Sequence, residues 1–362
     1  MGDFDKRKEQ ITEELMRAAT DIGFFQVVNH GISQAEMDQA FAVGHRFLEL
    51  PTDVKRKRPV DKSNFAYILG YSTEDLSVGT LREAMFCGFD NARMSQLWPA
   101  EEDCPHFKRD TLAWMHRCHE VTSRIMSCFA TGLGLPEDYF EAALDPAAPD
   151  NQTAMFYNHY PSVEGKLFPE GALRIAAHTD FELLTLLFQR PGQAGLEVCP
   201  GIAAGVSLDK RPWTPIDPIP GAITINIGDA LQYWSDDRLK STFHRVRMPR
   251  PEEYKGPRRS IAYFANARAS TILQGPLKKY PEITFPEILA QKAAYREKHF
   301  DGKDFDDMTD EEKIQLHGKL ALGPEFSPVD VEGEFPATRA AVPDKPALQF
   351  LSQIRKIAPI AG

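Results

Sequence analysis

The triplet His178-Thr179-Asp180 places an imidazole and a carboxylate two residues apart in a stretch rich in β-forming residues. Side chains two apart on a strand point to the same face, so this pair would project together into the interior of a β-structure. A second imidazole from another strand would complete a group of two histidines and one carboxylate. Such a group leaves three positions open on a metal ion, which suits the oxygen chemistry of non-haem Fe(II).

A His-x-acid triplet is weak evidence by itself, because 52 of the 362 residues are Asp or Glu. A second copy stands at His299-Phe300-Asp301, and the residues downstream distinguish the two. After the first triplet, β-rich runs joined by a Gly-Asp turn lead to His244. After the second, the only histidine is His317, in a charged helical segment. His178, Asp180 and His244 are therefore the predicted metal ligands.

Arg258 and Ser260 follow His244 and share one face of a further β-rich run. A guanidinium fork and a hydroxyl together can bind a carboxylate through charge-assisted hydrogen bonds. An isolated arginine is most often a surface charge. An inward arginine in an apolar interior, however, needs an anion, because an unpaired buried charge costs several kcal/mol.

The elements that must position these side chains begin with helices. Residues 6–20 have apolar side chains at helical spacing, and residues 106–134 predict a long helix. Between them, residues 24–28 predict a short strand. Ser33 then begins a second helix, with Glu36 three residues on completing a capping-box pattern.

From about Thr153 onward, short β-rich runs alternate with Gly- and Pro-rich turns, which is typical of an antiparallel sandwich or barrel. Helical spacing returns from about Phe285, and the last 40 residues are Pro-rich without a predicted element. The β-rich runs are MFYNHYP (155–161), LRIAAHTD (173–180), LLTLLFQ (183–189), LEVC (196–199), WTPI (213–216), AITINIG (222–228), RVRM (245–248) and SIAYFAN (260–266).

Composition narrows the class of protein. The net charge of −10 disfavours a nucleic-acid partner, because a general polyanion binder needs a basic surface. The five scattered cysteines fit reduced thiols in a cytoplasmic protein better than a disulfide framework. Neither a membrane-spanning apolar run nor a secretory signal in the first ten residues is evident. We expect a soluble cytoplasmic protein that acts on a small molecule; its oligomeric state is not indicated.

Taken together in chain order, these segments resemble a known family. The sequence is similar to the isopenicillin N synthase-like branch of the 2-oxoglutarate/Fe(II)-dependent dioxygenases over roughly residues 20–270. Each matching segment is weak alone, but the ordered set is highly specific. The segments are GFFQVVNHGI (23–32), GY (70–71), NHYP (158–161), HTD (178–180), LLTLLFQ (183–189), GLEV (195–198), NIGD (226–229), KSTFHRV (240–246) and RRS (258–260).

The resemblance implies a mixed α+β fold, a distorted double-stranded β-helix (jelly roll) flanked by helices. It implies one domain over residues 1–362, with a mainly helical part at 1–150, the iron-bearing jelly roll at 151–272 and a helical and irregular extension at 273–362. The chain departs from the family in lacking the usual opening strand. It also carries Arg259 where an aromatic residue is common.

For the site, the resemblance implies Fe(II) on the three predicted ligands, 2-oxoglutarate and O2 as cosubstrates, and ascorbate as a supporting reductant. Arg258 and Ser260 would grip the distal carboxylate of 2-oxoglutarate. Tyr160 would add a hydroxyl to that carboxylate, and Asn158 would lie near the iron-bound end.

Seven residues are candidates for the substrate pocket, most of them aromatic or apolar. Arg174 precedes His178 by four residues and is expected on the same strand face. There it would bind a substrate carboxylate or form a salt bridge at the rim. The candidates are Tyr67, Tyr71, Phe86, Phe156, Arg174, Leu186 and Phe264.

The predicted reaction is the hydroxylation of a small molecule, such as an amino acid or a specialised metabolite, with succinate and CO2 as co-products. An oxidative cyclase, a desaturase or an ethylene-forming type of oxygenase would share the same iron site. A non-catalytic jelly-roll binding protein is the alternative from another class, disfavoured by the presence of all three ligands and the Arg/Ser pair.

Overall fold

The computed structural model describes residues 3–60, 69–74, 81–168, 172–199 and 213–291. Tyr67, a predicted pocket residue, lies outside the described residues, as do the second His-x-acid triplet and most of the predicted C-terminal extension. Within the described ranges, no helix has both the length and the apolar character that crossing a bilayer requires.

The long helices lie before the β-rich half, where their spacing predicts them. The helix predicted to begin at Ser33 does so: the Ser33 hydroxyl accepts a hydrogen bond from the Glu36 backbone, and the Glu36 carboxylate accepts one from the Ser33 backbone. The helices are α1 (Asp3–Asp21), α2 (Gln34–Leu48), α3 (Thr52–Lys55), α4 (Phe107–Leu133), α5 (Glu141–Leu144) and α6 (Asp229–Trp234).

The strands are β1 (Phe24–Val27), β2 (Gly70–Glu74), β3 (Arg82–Gly88), β4 (Ala154–Tyr160), β5 (Leu173–His178), β6 (Leu184–Gln189), β7 (Leu196–Cys199), β8 (Thr214–Pro215), β9 (Ile223–Ile227), β10 (Phe243–Arg247), β11 (Arg258–Ala265), β12 (Ile272–Leu273) and β13 (Ile283–Thr284). Strands β1 and β4 to β11 coincide with the predicted β-rich runs, whereas β2, β3, β12 and β13 lie outside them. Helical residues 285–291 follow β13.

Antiparallel pairing assembles two main sheets. The larger has seven strands in the order β1-β9-β6-β11-β4-β3-β2, and the smaller has four in the order β5-β10-β7-β8. The sheets face each other and enclose a cavity lined from both sides. This is the predicted jelly-roll core in a mixed α+β fold. Within the described residues the main strands form two open sheets rather than a closed barrel, and β12 pairs with β13 in a separate two-stranded sheet.

Helices α1, α2 and α4 cover the outer face of the seven-stranded sheet. Tyr157 of β4 and Ile261 and Tyr263 of β11 point to that face and are buried with Phe129 of α4 in the main hydrophobic core. Burying each such side chain contributes roughly 1.5–3 kcal/mol. Because successive side chains of a strand point to opposite faces, the alternate residues of β4 and β11 face the cavity.

The N-terminal part contributes strands as well as helices. Besides the predicted β1, it supplies β2 and β3, which the sequence pattern does not predict. Residues Ala84 to Gly88 of β3 are all buried, so the run has no alternation of apolar and polar residues to mark it as a strand. Residues before 150 therefore build one edge of the sheet that carries the site.

Gly23 lies close to the segment that leads into β10. Its φ of +76° is in the left-handed region, and a Cβ there would lie 1.8 Å from the Lys240 carbonyl oxygen. We expect Gly23→Ala to lower the free energy of unfolding by about 3 kcal/mol or more, from backbone strain and from the steric clash. Chemical denaturation measures this effect.

Gly134, after the end of α4, provides the matched control. Its φ is +79°, almost the same, but a Cβ there would meet no atom within 4 Å. Gly134→Ala should therefore show the strain alone, about 1 kcal/mol. Equal losses in the two variants would contradict the close approach at Gly23.

Candidate metal centre and adjoining cavity

His178, Asp180 and His244 come together at the open end of the small sheet. Cα pairing in the β5–β10 ladder sets His178 opposite His244, and their ring centroids are 4.2 Å apart. The Oδ1 atom of Asp180 lies 3.6 Å from Nε2 of each histidine. One ligand atom from each residue lies within 4.8 Å of the others, so the three can share one ion.

The sequence analysis predicts that all three residues of the triplet lie in one strand, and this is wrong for Thr179 and Asp180. β5 ends at His178, and Asp180 follows in an irregular segment. Asp180 is held by its main chain instead: its carbonyl oxygen accepts a hydrogen bond from the Asp229 N–H, 2.8 Å away. The side chains still converge, because this contact ties the residue to the start of α6.

Backbone carbonyls orient both imidazoles. Nδ1 of His178 lies 2.9 Å from the Ala176 oxygen, and Nδ1 of His244 lies 3.2 Å from the Thr242 oxygen. Since a carbonyl can only accept, each Nδ1 carries the proton and donates it. Each Nε2 then presents a lone pair towards Asp180, the arrangement a metal ligand requires.

The two oxygens of the Asp180 carboxylate have different surroundings. Its Oδ2 accepts a hydrogen bond from Asn226 Nδ2 at 2.7 Å and another from the Thr185 hydroxyl. Its Oδ1 faces the two imidazoles. Burial alone would raise the pKa of Asp180, but His244, His178 and these two hydrogen bonds hold it below its usual value. The carboxylate is therefore ionised, with Oδ1 free to face a metal ion.

Two imidazole nitrogens and one carboxylate oxygen form a donor set that fits Fe(II), with three coordination positions left open. The polar atoms of these side chains that do not face the ion are satisfied by the carbonyls, the amide and the hydroxyl described above. The chemistry of the site thus agrees with the ion that the sequence predicts.

We expect the double variant Asn226→Leu, Thr185→Val to bind Fe(II) about 10–100-fold more weakly, because the carboxylate would lose the donors that fix its orientation. Anaerobic titration with Fe(II) measures this affinity. Thr122→Val is the control, since it removes a buried hydroxyl bonded to the Cys118 oxygen within α4. An unchanged affinity in the double variant would show that the two donors do not support the site.

A cavity adjoins this group, with an empty volume of about 580 Å³ that includes open solvent at its mouth. Both sheets line it. The lining residues are Phe24, Arg82, Phe156, Asn158, Tyr160, Ile175, His178, Asp180, Thr185, Leu187, Leu196, Asn226, His244, Val246, Arg258, Ser260, Ala262 and Phe264.

The predicted carboxylate site is assembled on β11 and β4, with Arg258 opposite Tyr160 and Ser260 opposite Asn158. All four side chains are buried and line the cavity. The Arg258 guanidinium lies 4.9 Å from the Tyr160 ring centroid and donates from Nη2 to Gln189 Oε1 at 2.8 Å. Burial lowers the pKa of Arg258, and Tyr160 partly counters that effect.

Two polar atoms in this wall have no hydrogen-bond partner among the described residues: Nη1 of Arg258 and Oδ1 of Asn158. A buried guanidinium nitrogen without an acceptor is costly. The cavity thus offers an unfilled donor and an unfilled acceptor in neighbouring rows of the same sheet. The Arg258 donor fits a carboxylate-bearing ligand better than it fits an apolar one, and Asn158 Oδ1 can accept from a donor group.

Two of the predicted pocket residues face the helix-covered core instead of the cavity. Leu186 points to the opposite face of β6, into the helix-covered core, and Leu187 faces the cavity instead. Tyr71 also lies on the helix side, where its hydroxyl donates to Glu83 Oε1 at 2.6 Å. Both corrections have one cause, since neighbouring residues of a strand face opposite sides.

Arg174 is buried but is not part of the cavity lining. Register shifts on both sides of Val246 interrupt the β5–β10 ladder, so Ile175 rather than Arg174 shares the cavity face with His178. The expectation that Arg174 and His178 share a strand face is therefore wrong. Its guanidinium carbon lies 5.9 Å from the Tyr160 ring centroid.

Phe156 and Phe264 line the cavity, whereas the predicted Phe86 is buried outside the lining and packs against Phe156 with ring centroids 4.2 Å apart. Sequence reasoning missed Arg82, which lines the same region, because it lies in the strand without a recognisable pattern. It also assigned no role to the donors on Asp180. The two donors, Asn226 and Thr185, lie in the segments NIGD and LLTLLFQ. A polar side chain within an apolar run is the feature of the sequence that could have identified them.

Comparison with known proteins gives two family matches. Residues 150–267 match the 2OG-Fe(II) oxygenase superfamily, and residues 1–102 match the N-terminal region described as non-haem dioxygenase in morphine synthesis. The first match spans the metal-ligand group and the Arg258/Ser260 pair. The second spans α1 to β3.

Curated relatives and solved structures agree with these matches. The 2-oxoglutarate-dependent dioxygenase frbA of Dothideomycetidae sp. (strain 11243) is 30% identical, over 78% of this chain and 87% of the relative. Proline hydroxylase buaE of Petromyces alliaceus is 32% identical, over 71% and 82%. The crystal structure of a full-length Neurospora crassa protein in complex with alpha-KG and thymine has a TM-score of 0.69 and 26% identity, covering 81% of this chain and 93% of that one.

Proposed function

We propose that this chain, which belongs to the 2OG-Fe(II) oxygenase superfamily, hydroxylates a small organic molecule and releases succinate and CO2 as co-products. It is a 2-oxoglutarate-dependent dioxygenase, so its cofactors are Fe(II), 2-oxoglutarate and O2. One observation carries the proposal. The metal-ligand group and the buried Arg258 open onto a single cavity whose other walls are largely apolar.

In this proposal, His178, Asp180 and His244 hold the iron through Nε2, Oδ1 and Nε2. Bound Fe(II) supplies the redox chemistry that couples the oxidation of 2-oxoglutarate to the oxidation of the substrate. The protein contributes geometry: the carbonyls of Ala176 and Thr242 fix the imidazole rings, and their hold on Nδ1 keeps both imidazoles in the ligating tautomer.

The polar wall would bind the cosubstrate. Arg258 and Ser260 would pair with the distal carboxylate of 2-oxoglutarate, filling the guanidinium nitrogen that lacks an acceptor. Tyr160, whose ring packs against that guanidinium, would contribute its hydroxyl to the same carboxylate. Along β4, Asn158 lies between Tyr160 and Phe156. It would contact the end of the cosubstrate that lies closer to the metal.

Apolar side chains on both sheets would keep water from the reacting atoms. Leu187 and Ala262 come from the large sheet, and Ile175, Leu196 and Val246 come from the small one. Such a lining favours transfer of oxygen to a carbon held against it. The relative named proline hydroxylase also supports hydroxylation. An amino acid or a specialised metabolite is the proposed substrate range.

The proposal is tested by incubating the protein with Fe(II), ascorbate, 2-oxoglutarate and a panel of small acids, amino acids and aromatic metabolites. Succinate release identifies a substrate, and mass spectrometry of the product identifies the reaction. Gain of one oxygen atom supports hydroxylation. Loss of two hydrogens, ring closure or ethylene release would replace hydroxylation with desaturation, cyclisation or ethylene formation.

A further inference from the structure

We propose that Arg174 is a positioning residue of the cosubstrate site: its charge stabilises the distal carboxylate of 2-oxoglutarate through space, beside the ring of Tyr160 and without contacting the cosubstrate. This inference rests on the proposed function and adds to it a residue that does not line the cavity. It follows from the burial of this cation, from the bulge that directs its side chain and from its place near Arg258.

Arg174 and Arg258 are the most deeply buried of the described Lys, Arg, Asp and Glu side chains, each 1% exposed. Nε and Nη2 of Arg174 have no hydrogen-bond partner among the described residues, and neither has Nη1 of Arg258. A buried cation with unfilled donors lowers the stability of a fold. An anion bound near both guanidiniums would remove part of that cost.

A bulge in β5 directs the Arg174 side chain. Leu173 and Ile175 pair with consecutive residues of β10, so Arg174 between them is an extra residue without a partner in the ladder. A bulge of this kind re-aims the side chain of the extra residue and is frequent beside active sites. The guanidinium carbon of Arg174 lies 5.9 Å from the ring centroid of Tyr160.

The ring of Tyr160 connects Arg174 to the predicted carboxylate site. The guanidinium carbon of Arg258 lies 4.9 Å from the centroid of this same ring. A carboxylate paired with Arg258 would therefore lie within the electrostatic field of Arg174 as well. In a buried site this field is weakly screened, because little water or salt separates the charges.

Arg174 forms no ion pair with a carboxylate of the described residues. Burial lowers the pKa of Arg174 to about 10, and Arg258 and Arg247 also lower it, while Tyr160 and Tyr254 oppose these effects. The group is therefore still a cation at neutral pH. A carboxylate bound at the cosubstrate site would supply the compensating charge.

Two ligands isolate the distal carboxylate: 2-oxoglutarate, and 2-oxopentanoate, which has the same 2-oxo acid end but a methyl group in place of that carboxylate. Each is titrated anaerobically into the Fe(II)-loaded protein, and calorimetry gives the Kd. We expect Arg174→Met to weaken 2-oxoglutarate binding by about 3–30-fold and to change the Kd of 2-oxopentanoate by less than about twofold. The ratio of two Kd values measured on one variant is insensitive to a partial loss of folding.

Two further substitutions separate charge from shape. Arg174→Gln, which is neutral but polar, should behave as Arg174→Met does. Arg174→Lys keeps the charge without the guanidinium fork, so it should keep most of the preference for 2-oxoglutarate. The inference is overturned if Arg174→Met weakens both ligands equally, as a purely structural role would, or if it weakens neither. It is also overturned if Arg174→Lys binds 2-oxoglutarate as weakly as Arg174→Met.

Arg245→Met is the matched control on the neighbouring strand β10. Arg245 lies between two residues that line the cavity, His244 and Val246, and so points away from it. Its guanidinium is already paired with Glu197, from Nε to Oε2 at 2.8 Å. Its loss should leave the Kd of each ligand within about twofold of that of the unmodified protein.

Arg258→Met distinguishes failure of this inference from failure of the proposed function. The unmodified Fe(II)-loaded protein should prefer 2-oxoglutarate to 2-oxopentanoate, and Arg258→Met should remove most of that preference. If both results hold and Arg174→Met keeps the full preference, only the role of Arg174 is wrong. If the unmodified protein does not bind 2-oxoglutarate, the proposed function is wrong as well.

Discussion

Asp180→Ala removes succinate release, leaving at most about a thousandth of the starting rate, and lowers Fe(II) affinity in parallel. The physical reason is specific to this carboxylate. Among the described residues, its Oδ1 is the one anionic oxygen near both imidazoles, and without it the two neutral imidazoles have no charge to balance a divalent ion. The donors on Oδ2 would also lose their acceptor. Anaerobic metal titration and succinate release measure the two effects.

The chain contains a natural control for this experiment. His299-Phe300-Asp301 repeats the His-x-acid pattern, but no β-rich run with a second histidine follows it in the sequence, so we expect Asp301→Ala to leave both iron binding and succinate release unchanged. His178→Ala should reproduce the loss expected for Asp180→Ala. Normal turnover in His178→Ala, or a loss in Asp301→Ala as large as in Asp180→Ala, would defeat the metal assignment.

The second large effect is expected at Arg258. We expect Arg258→Met to raise the 2-oxoglutarate concentration needed for half-maximal turnover by about 30–1,000-fold, because a buried charge-assisted contact worth roughly 2–4 kcal/mol is lost. Methionine keeps much of the volume, so the loss reports on charge and hydrogen bonding. The rate at saturating 2-oxoglutarate should fall much less, since Arg258 does not contact the metal ligands.

Arg259→Met is the matched control on the same strand. Arg259 points away from the cavity, with Nη2 4.0 Å from Glu49 Oε1 at the end of α2. Its loss should leave the 2-oxoglutarate requirement within about twofold, as is usual for a partly exposed ion pair. A requirement that is unchanged in Arg258→Met would remove Arg258 from the cosubstrate site.

Sequence reasoning located the elements that carry the site because their signals are local. The capping box at Ser33 depends on two side chains three residues apart, and alternation along β4 and β11 places Asn158, Tyr160, Arg258 and Ser260 on one face. The family match then agreed with the ordered motifs. Each of these inferences needs only neighbours in the chain or a known order of segments.

What sequence reasoning missed depends on non-local geometry. The register shifts around Val246 move Ile175 into the position expected for Arg174. These shifts depend on how β5 pairs with β10, so the residues of β5 alone do not predict them. In β6, Leu184 to Leu186 are buried in an unbroken run, so both faces look alike and Leu186 is not distinguished from Leu187. Arg82 becomes part of the cavity only because β3 joins the large sheet.

The position of β1 has a practical consequence for a shortened chain. β1 is the outermost strand beside β9, and its Phe24 packs against the His244 ring with centroids 5.4 Å apart. Proteolytic clipping after residue 27 would strip this strand away and leave the N–H and C=O groups of β9 as a template for another molecule. Clipped material should therefore precipitate rather than survive as a smaller oxygenase.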